Sequence, residues 1–208
     1  MAAKSTREHL IDVGVGLMHQ NGYNATGLTD ILKAANVPKG SFYHHFGSKE
    51  DFAVAALERY GMRASEHAAA VLNDTTTPPL KRLRRYFSDL LKIYGQKGEI
   101  PGCMMGRFSL EIAEESPQLR NRISASFDHW QHTIATVLRQ AVAQAELPAG
   151  TTDPESLAGF LLNSWEGALL RSQAEKSNAP LDTFMRYVFD ELLTKESKGK
   201  ARGNPLIA

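Results

Sequence analysis

One cysteine in 208 residues excludes an intramolecular disulfide, and the lone thiol, Cys103, fits a reducing compartment. No apolar run approaches the ~20 residues that a bilayer crossing needs. The opening MAAKSTREHLIDVG lacks the apolar segment of a secretory leader, so a soluble cytoplasmic protein is expected. An excess of either charge is missing too. Lys and Arg number 24, Asp and Glu 23, for a net charge of +1, so attraction to nucleic acid must come from a local patch. Alternating β-branched runs bounded by hairpin turns are absent, as are repeats and low-complexity linkers, which argues against a sheet-based fold. What is present is 42% apolar and 23% charged residues, ordinary for a globular chain long enough to bury one core or two.

Helical periodicity fills the sequence and predicts an all-α protein of about nine helices. Ser5 and Glu8 form a capping box before a helix carrying Leu10, Val13, Leu17 and Met18, closed by Gly22. Thr26 is placed to cap a short helix with Leu28, Ile31 and Leu32, and another short helix follows Pro38. Ser48 caps a longer helix, from about 48 to 73, that carries Phe52, Ala56, Leu57, Tyr60, Ala64 and Val71. After DTTTPP, apolar spacing resumes at Leu80, Leu83, Phe87, Leu90 and Tyr94. KGEIPG interrupts it, and a helix restarts near Cys103. Pro117 opens a long one with Leu119, Ile123, Phe127, Trp130, Ile134 and Leu138 in register. Two apolar helices follow, Asp153 to Lys176 and Leu181 to Lys195, and then a polar tail. KRLRR, at 81–85, reads as a solvated helix face. The expected division is residues 1–50, a helix-turn-helix unit; residues 51–195, a larger helical unit for sensing and dimerisation; and residues 196–208, a flexible tail.

The stretch VPKGSFYHHFGSKEDF has the chemistry of a grip. Two short helices joined by Ala35-Asn36-Val37 form a helix-turn-helix candidate. Phe42 and Phe46 belong to its core, leaving Lys39, Gly40, Ser41, Tyr43 and His44 outward at the end that a recognition helix presents to base edges. Lys39 reaches guanine acceptors, Ser41 and His44 are short-range readers, and Gly40 lets the backbone approach. Tyr43 and Lys49 are candidate phosphate contacts, with the helix start at Ser48 beside them. His44 and His45 diverge by about 100° on a helix, so no metal site is expected there. Residues 1–50 carry Lys4, Arg7, Lys33, Lys39 and Lys49 against Glu8, Asp12, Asp30 and Glu50, so binding must rest on a few placed contacts.

The segment NGYNATGLTDILKAANVPKGSFYHHFGSKEDF resembles the DNA-binding domain of TetR-family transcriptional regulators, and the match runs without a gap from Thr6 to Leu57. The resemblance implies a homodimer, most often a repressor, whose recognition helices enter successive major grooves of a palindromic double-stranded operator. It adds Thr26 and Gly27 to the DNA-contacting residues. It also implies release of DNA by a small organic effector, with no cofactor.

Cys103 follows a Pro-Gly turn at a helix start, where the helix dipole favours thiolate and Arg107, with Lys97 if the loop folds back, adds to it. The alternative is a buried small hydrophobe among Met104, Met105 and Phe108. GEIPGCMMGRFSLEIAEESPQLR and WEGALLRSQ resemble the group of TetR regulators that contains the N-ethylmaleimide-responsive repressor. That resemblance implies sensing of electrophiles or oxidants at Cys103; non-covalent effector binding with a structural Cys103 is the other reading. Tyr94, Met105, Phe108, Phe127, Trp130 and Trp165 are candidate pocket residues. Leu157, Leu161, Trp165, Leu169, Phe184, Val188 and Leu192 are candidates for the dimer interface, where Ala158, Gly159, Gly167 and Ala168 allow close helix approach. An enzyme using Cys103 as nucleophile with His129 or His132 as base would need an oxyanion or substrate motif, and none accompanies them.

Overall fold

The computed structural model describes residues 5–94, 102–147 and 153–194. Lys97, Pro101, Lys195 and the predicted tail therefore lie outside the described residues. Within them the protein is all-α: nine helices and no strand.

Ser5 caps α1 (Thr6–Asn21) by accepting from the Glu8 N–H at 3.3 Å, and Gly22 ends it at φ +86°. Helices α2 (Leu28–Ala35) and α3 (Lys39–His45) follow, separated by Asn36 in the left-handed region. The α2 cap differs from expectation. Gly27 occupies the N-cap, its N–H donating to the Asp30 carboxylate at 3.1 Å. Thr26 is instead buried, with its hydroxyl donating to the Gly22 carbonyl at 2.6 Å. It closes the α1–α2 turn.

Helix α4 (Lys49–Leu72) starts at Ser48, whose hydroxyl accepts from the Asp51 N–H at 3.0 Å, and runs unbroken past the first three helices. Phe52 from its first turn is fully buried and meets the rings of Phe42 and Phe46 at 5.4 and 5.0 Å. Gly14 of α1 makes room for it: a methyl group there would lie 2.2 Å from the Phe52 ring. Arg59 and Arg63 of α4 both donate to Asp12 of α1 at 2.6 Å.

The remaining helices are α5 (Pro79–Tyr94), α6 (Met104–Glu111), α7 (Pro117–Ala143), α8 (Pro154–Glu175) and α9 (Ala179–Arg186), which continues into a π-helical turn, Tyr187–Leu192. Phe87 of α5 is the hub of their core, with the rings of Trp165, Phe184 and Phe189 at 5.2, 5.1 and 6.0 Å. Within KRLRR, Arg82 is buried rather than solvated; its guanidinium donates to the Leu72 carbonyl and to Gln140 Oε1, ending α4 against α5 and α7.

Candidate DNA-binding surface and sensing helix

Lys39, Gly40, Tyr43 and His44 share the outer side of α3 and are exposed, and Ser41 beside them is half-buried. Phe42 behind them is fully buried, so the helix is held by one aromatic anchor while its polar side stays free. Lys39 Nζ lies 5.9 Å from the Tyr43 ring centroid, putting a cation and a phenol on one patch. The rings of His44 and His45 meet edge-on at 4.9 Å, and no group of three or more metal-ligating side chains occurs among the described residues.

Three predicted contacts have other work. Thr26 is the turn lock already described, and Gly27 is half-buried at the α2 N-cap. Lys49 does not reach outward. Its ammonium donates to the Tyr23 carbonyl at 2.7 Å and lies 4.3 Å from the Tyr23 ring centroid, tying α4 to the α1–α2 turn. Burial lowers its pKa and the Glu111 carboxylate pulls it back up.

Helix α6 docks on that same turn. Arg107 donates to the Gln20 carbonyl at 2.7 Å and to Glu111 at 3.1 Å, while Glu111 accepts from the Asn24 N–H at 2.9 Å. At its other end a His19 Nε2 contact to the Gly102 carbonyl spans 2.7 Å. Tyr23 packs edge-on against Phe108 at 5.8 Å. Helix α6 is therefore tied directly to the end of α1 and the turn into α2. Sequence reasoning missed this latch because its partners stand 83 to 87 residues apart, beyond any local periodicity.

Cys103 sits at the N-cap of α6, as the turn predicts, but its environment reverses the expected charge state. The residue is buried, and burial pushes the thiol well above its usual range, reinforced by the facing Glu166 carboxyl; the Met105 and Gly106 amides offset this only in part. Arg107 is committed to Gln20 and Glu111, so it does not serve the sulfur. Desolvation outweighs the helix dipole here. Glu166, also missed from sequence, has its own pKa pushed up to about 7 by burial. Its carboxylate fits because residue 106 is glycine: a methyl there would lie 2.8 Å from a Glu166 oxygen.

Between α4, α5 and α7 lies a cleft of about 810 Å³. Of the candidate pocket residues, Tyr94, Met105 and Trp130 line it, together with Tyr60, Tyr86 and Leu90. Phe108 and Trp165 are buried in the core and do not line it, and Phe127 is half-buried outside the lining. The Tyr60 and Tyr94 hydroxyls bond at 2.9 Å, and the Met104 amide of α6 faces the Tyr60 oxygen.

Residues 10–56 match the model of the bacterial regulatory proteins of the tetR family, and residues 79–188 match the tetracyclin repressor-like C-terminal domain. This chain belongs to the TetR family. It is a DNA-binding transcriptional regulator. Its relatives include the HTH-type transcriptional repressor DhaR of Mycobacterium sp. strain GP1, 34% identical over 93% of this chain and 95% of that protein. The repressor NemR of Escherichia coli K12 is 32% identical over 91% of this chain and 94% of its own length. The crystal structure of E. coli NemR in its reduced form superposes with a TM-score of 0.85, covering 92% of this chain and 98% of that one at 30% identity. A regulatory protein TetR from Rhodobacter sphaeroides gives 0.82 at 34% identity, over 89% and 97%.

In this TetR-family regulator the predicted dimer residues divide by depth. Leu161, Trp165, Leu169, Phe184 and Val188 are buried in the subunit's own core and Leu157 is half-buried; of the set only Leu192 is exposed. Five of the seven residues of this apolar stripe thus pack within the subunit itself. Outward on α8 and the end of α9 stand Phe160, Leu170 and Tyr187, each more than half exposed, and a groove between the two helices runs from Phe160 to Leu192. Among the described residues no helix is long and apolar enough to cross a membrane.

Proposed function

We propose that this regulator represses transcription as a homodimer on a palindromic operator and releases it when an effector in the α4–α5–α7 cleft displaces α6. The observation that carries the reading is the latch. Met105 of α6 lines the cleft, while Arg107 and Glu111 of the same helix hold Gln20 and Asn24 beside the helix-turn-helix. Residues 1–50 form the DNA-binding unit in this reading and residues 51–195 the sensing and dimerising unit, joined by α4. Pairing across the exposed Phe160–Leu192 face sets the two α3 helices at the spacing of successive major grooves, near 34–36 Å. A shift of a few ångströms in α6 then breaks contacts at both half-sites together.

The test is fluorescence anisotropy on DNA upstream of the protein's own coding sequence. A sequence-specific complex that weakens with salt is expected. Lys39→Ala should cost on the order of tenfold in affinity and relax base preference, whereas Tyr43→Phe should weaken all sequences alike. Absence of a salt-sensitive, sequence-specific complex overturns the reading.

Cys103 supports a second, covalent route into the same latch, because any adduct on this buried N-cap thiol must push α6 away from Glu166 and from the His19–Gly102 contact. With the thiol held protonated, reaction is expected to be slow at neutral pH, since the thiolate is the nucleophile. N-ethylmaleimide should release wild-type protein from operator over minutes to hours and leave Cys103→Ser bound. Equal release from both assigns Cys103 to the core.

A further inference from the structure

The cleft has an aromatic and apolar side, and on it one buried donor that no described residue satisfies in good geometry. Its floor is made by Tyr86, Leu90, Tyr94 and Met105, and Trp130 closes it from α7. The Trp130 indole N–H is buried with no acceptor in good hydrogen-bond geometry among the described residues, and the Tyr86 hydroxyl lies close enough to feel it as a donor. Buried donors are almost always paired with protein, water or ligand, so an unpaired indole N–H in the wall of a cavity marks where an occupant's acceptor belongs. The neighbouring Tyr60–Tyr94 pair is already satisfied, each hydroxyl by the other, at 2.9 Å.

Charge is disfavoured beside this donor. Burial pushes the phenols of Tyr86 and Tyr94 up, so they stay protonated donors that bring no positive charge to an anion, and the cation on the cleft wall, Arg122, already faces a carboxylate. Arg122 on the wall has the Glu58 carboxylate at 3.9 Å.

We propose that the cleft takes a neutral, largely apolar molecule carrying one strong hydrogen-bond acceptor, such as a ketone or ester carbonyl, with that oxygen seated between the Trp130 indole N–H and the Tyr86 hydroxyl. This rests on the reading of the cleft as the effector site. It places the acceptor on α7 and α5 and the apolar body against Met105 of α6, so occupancy bears on the helix that is latched to α1.

Calorimetric titration of the full chain, without DNA, tests it with three probes of one shape: 2-acetylnaphthalene, 2-ethylnaphthalene and 2-naphthoate. The ketone should bind wild type at least tenfold more tightly than the hydrocarbon and more tightly than the carboxylate. Trp130→Phe, which keeps an aromatic wall and removes the N–H, should bring the ketone-to-hydrocarbon ratio below about threefold, and Tyr86→Phe should lower it as well. Equal binding of ketone and hydrocarbon by wild type overturns the inference without any variant. So does preference for the carboxylate, no saturable binding of any probe, or a ratio that survives Trp130→Phe. Operator binding is read separately by anisotropy, so loss of the regulator reading and loss of this one give different results.

Discussion

Glu166→Gln should stabilise the regulator at pH 8 and remove much of its pH dependence between about pH 4.5 and 7. Glu166 lies against Cys103, with Tyr94 in its field, and burial has pushed its carboxyl up to about 7 from 4.5. The folded protein thus binds more protons than the unfolded chain in that window, so stability is fully present below pH 4.5 and falls as pH rises through 7. The loss is roughly 3 kcal/mol once both states are ionised. Glutamine keeps the shape beside Gly106 and carries no charge. The variant is expected to melt about 6–12 °C higher than wild type at pH 8 and to match it near pH 4. Thermal unfolding at the two pH values measures this; equal shifts at both would show that the Glu166 charge costs nothing.

Gly14→Ala carries the opposite expectation. Its methyl would lie 2.2 Å from the Phe52 ring, which is fully buried and braced by Phe42 and Phe46. Overpacking of this kind costs about 1–3 kcal/mol and sometimes more, against about 1 kcal/mol gained from replacing glycine in a helix. A net loss of up to about 2 kcal/mol is expected. Phe52 also packs on Phe42, the anchor of α3, so operator affinity should fall with stability. Phe52→Leu shrinks the obstructing ring, and the double variant should recover part of the loss, a coupling of about 0.5–3 kcal/mol. Additive losses would show that the two sites do not share this contact.

Much of the fold was legible because its signals are local. Ser5, Ser48 and Pro117 open helices where capping chemistry puts them, and Cys103 and Asp153 lie one residue outside theirs. The outward set on α3 follows from where Phe42 and Phe46 must go. The sequence was least informative wherever a residue had two physically reasonable partners. Thr26 and Lys49 have donors suited to phosphate, yet Gly22 and Tyr23 carbonyls lie closer. Arg82 sits in a basic run but reaches a carbonyl and an amide inside the protein.

By itself, then, the amino-acid order determined the helices, the helix-turn-helix and the face of α3 left free, because capping, periodicity and turn chemistry act within a few residues. Only the tertiary structure decided the rest. It turned Trp165 and Phe184 inward, aimed Glu166 at Cys103 through the space Gly106 leaves, set the Trp130 N–H beside the Tyr86 hydroxyl in the cleft wall and latched α6 to α1. Each depends on which helix faces which across tens of residues, and there desolvation and packing, rather than propensity, choose the partner.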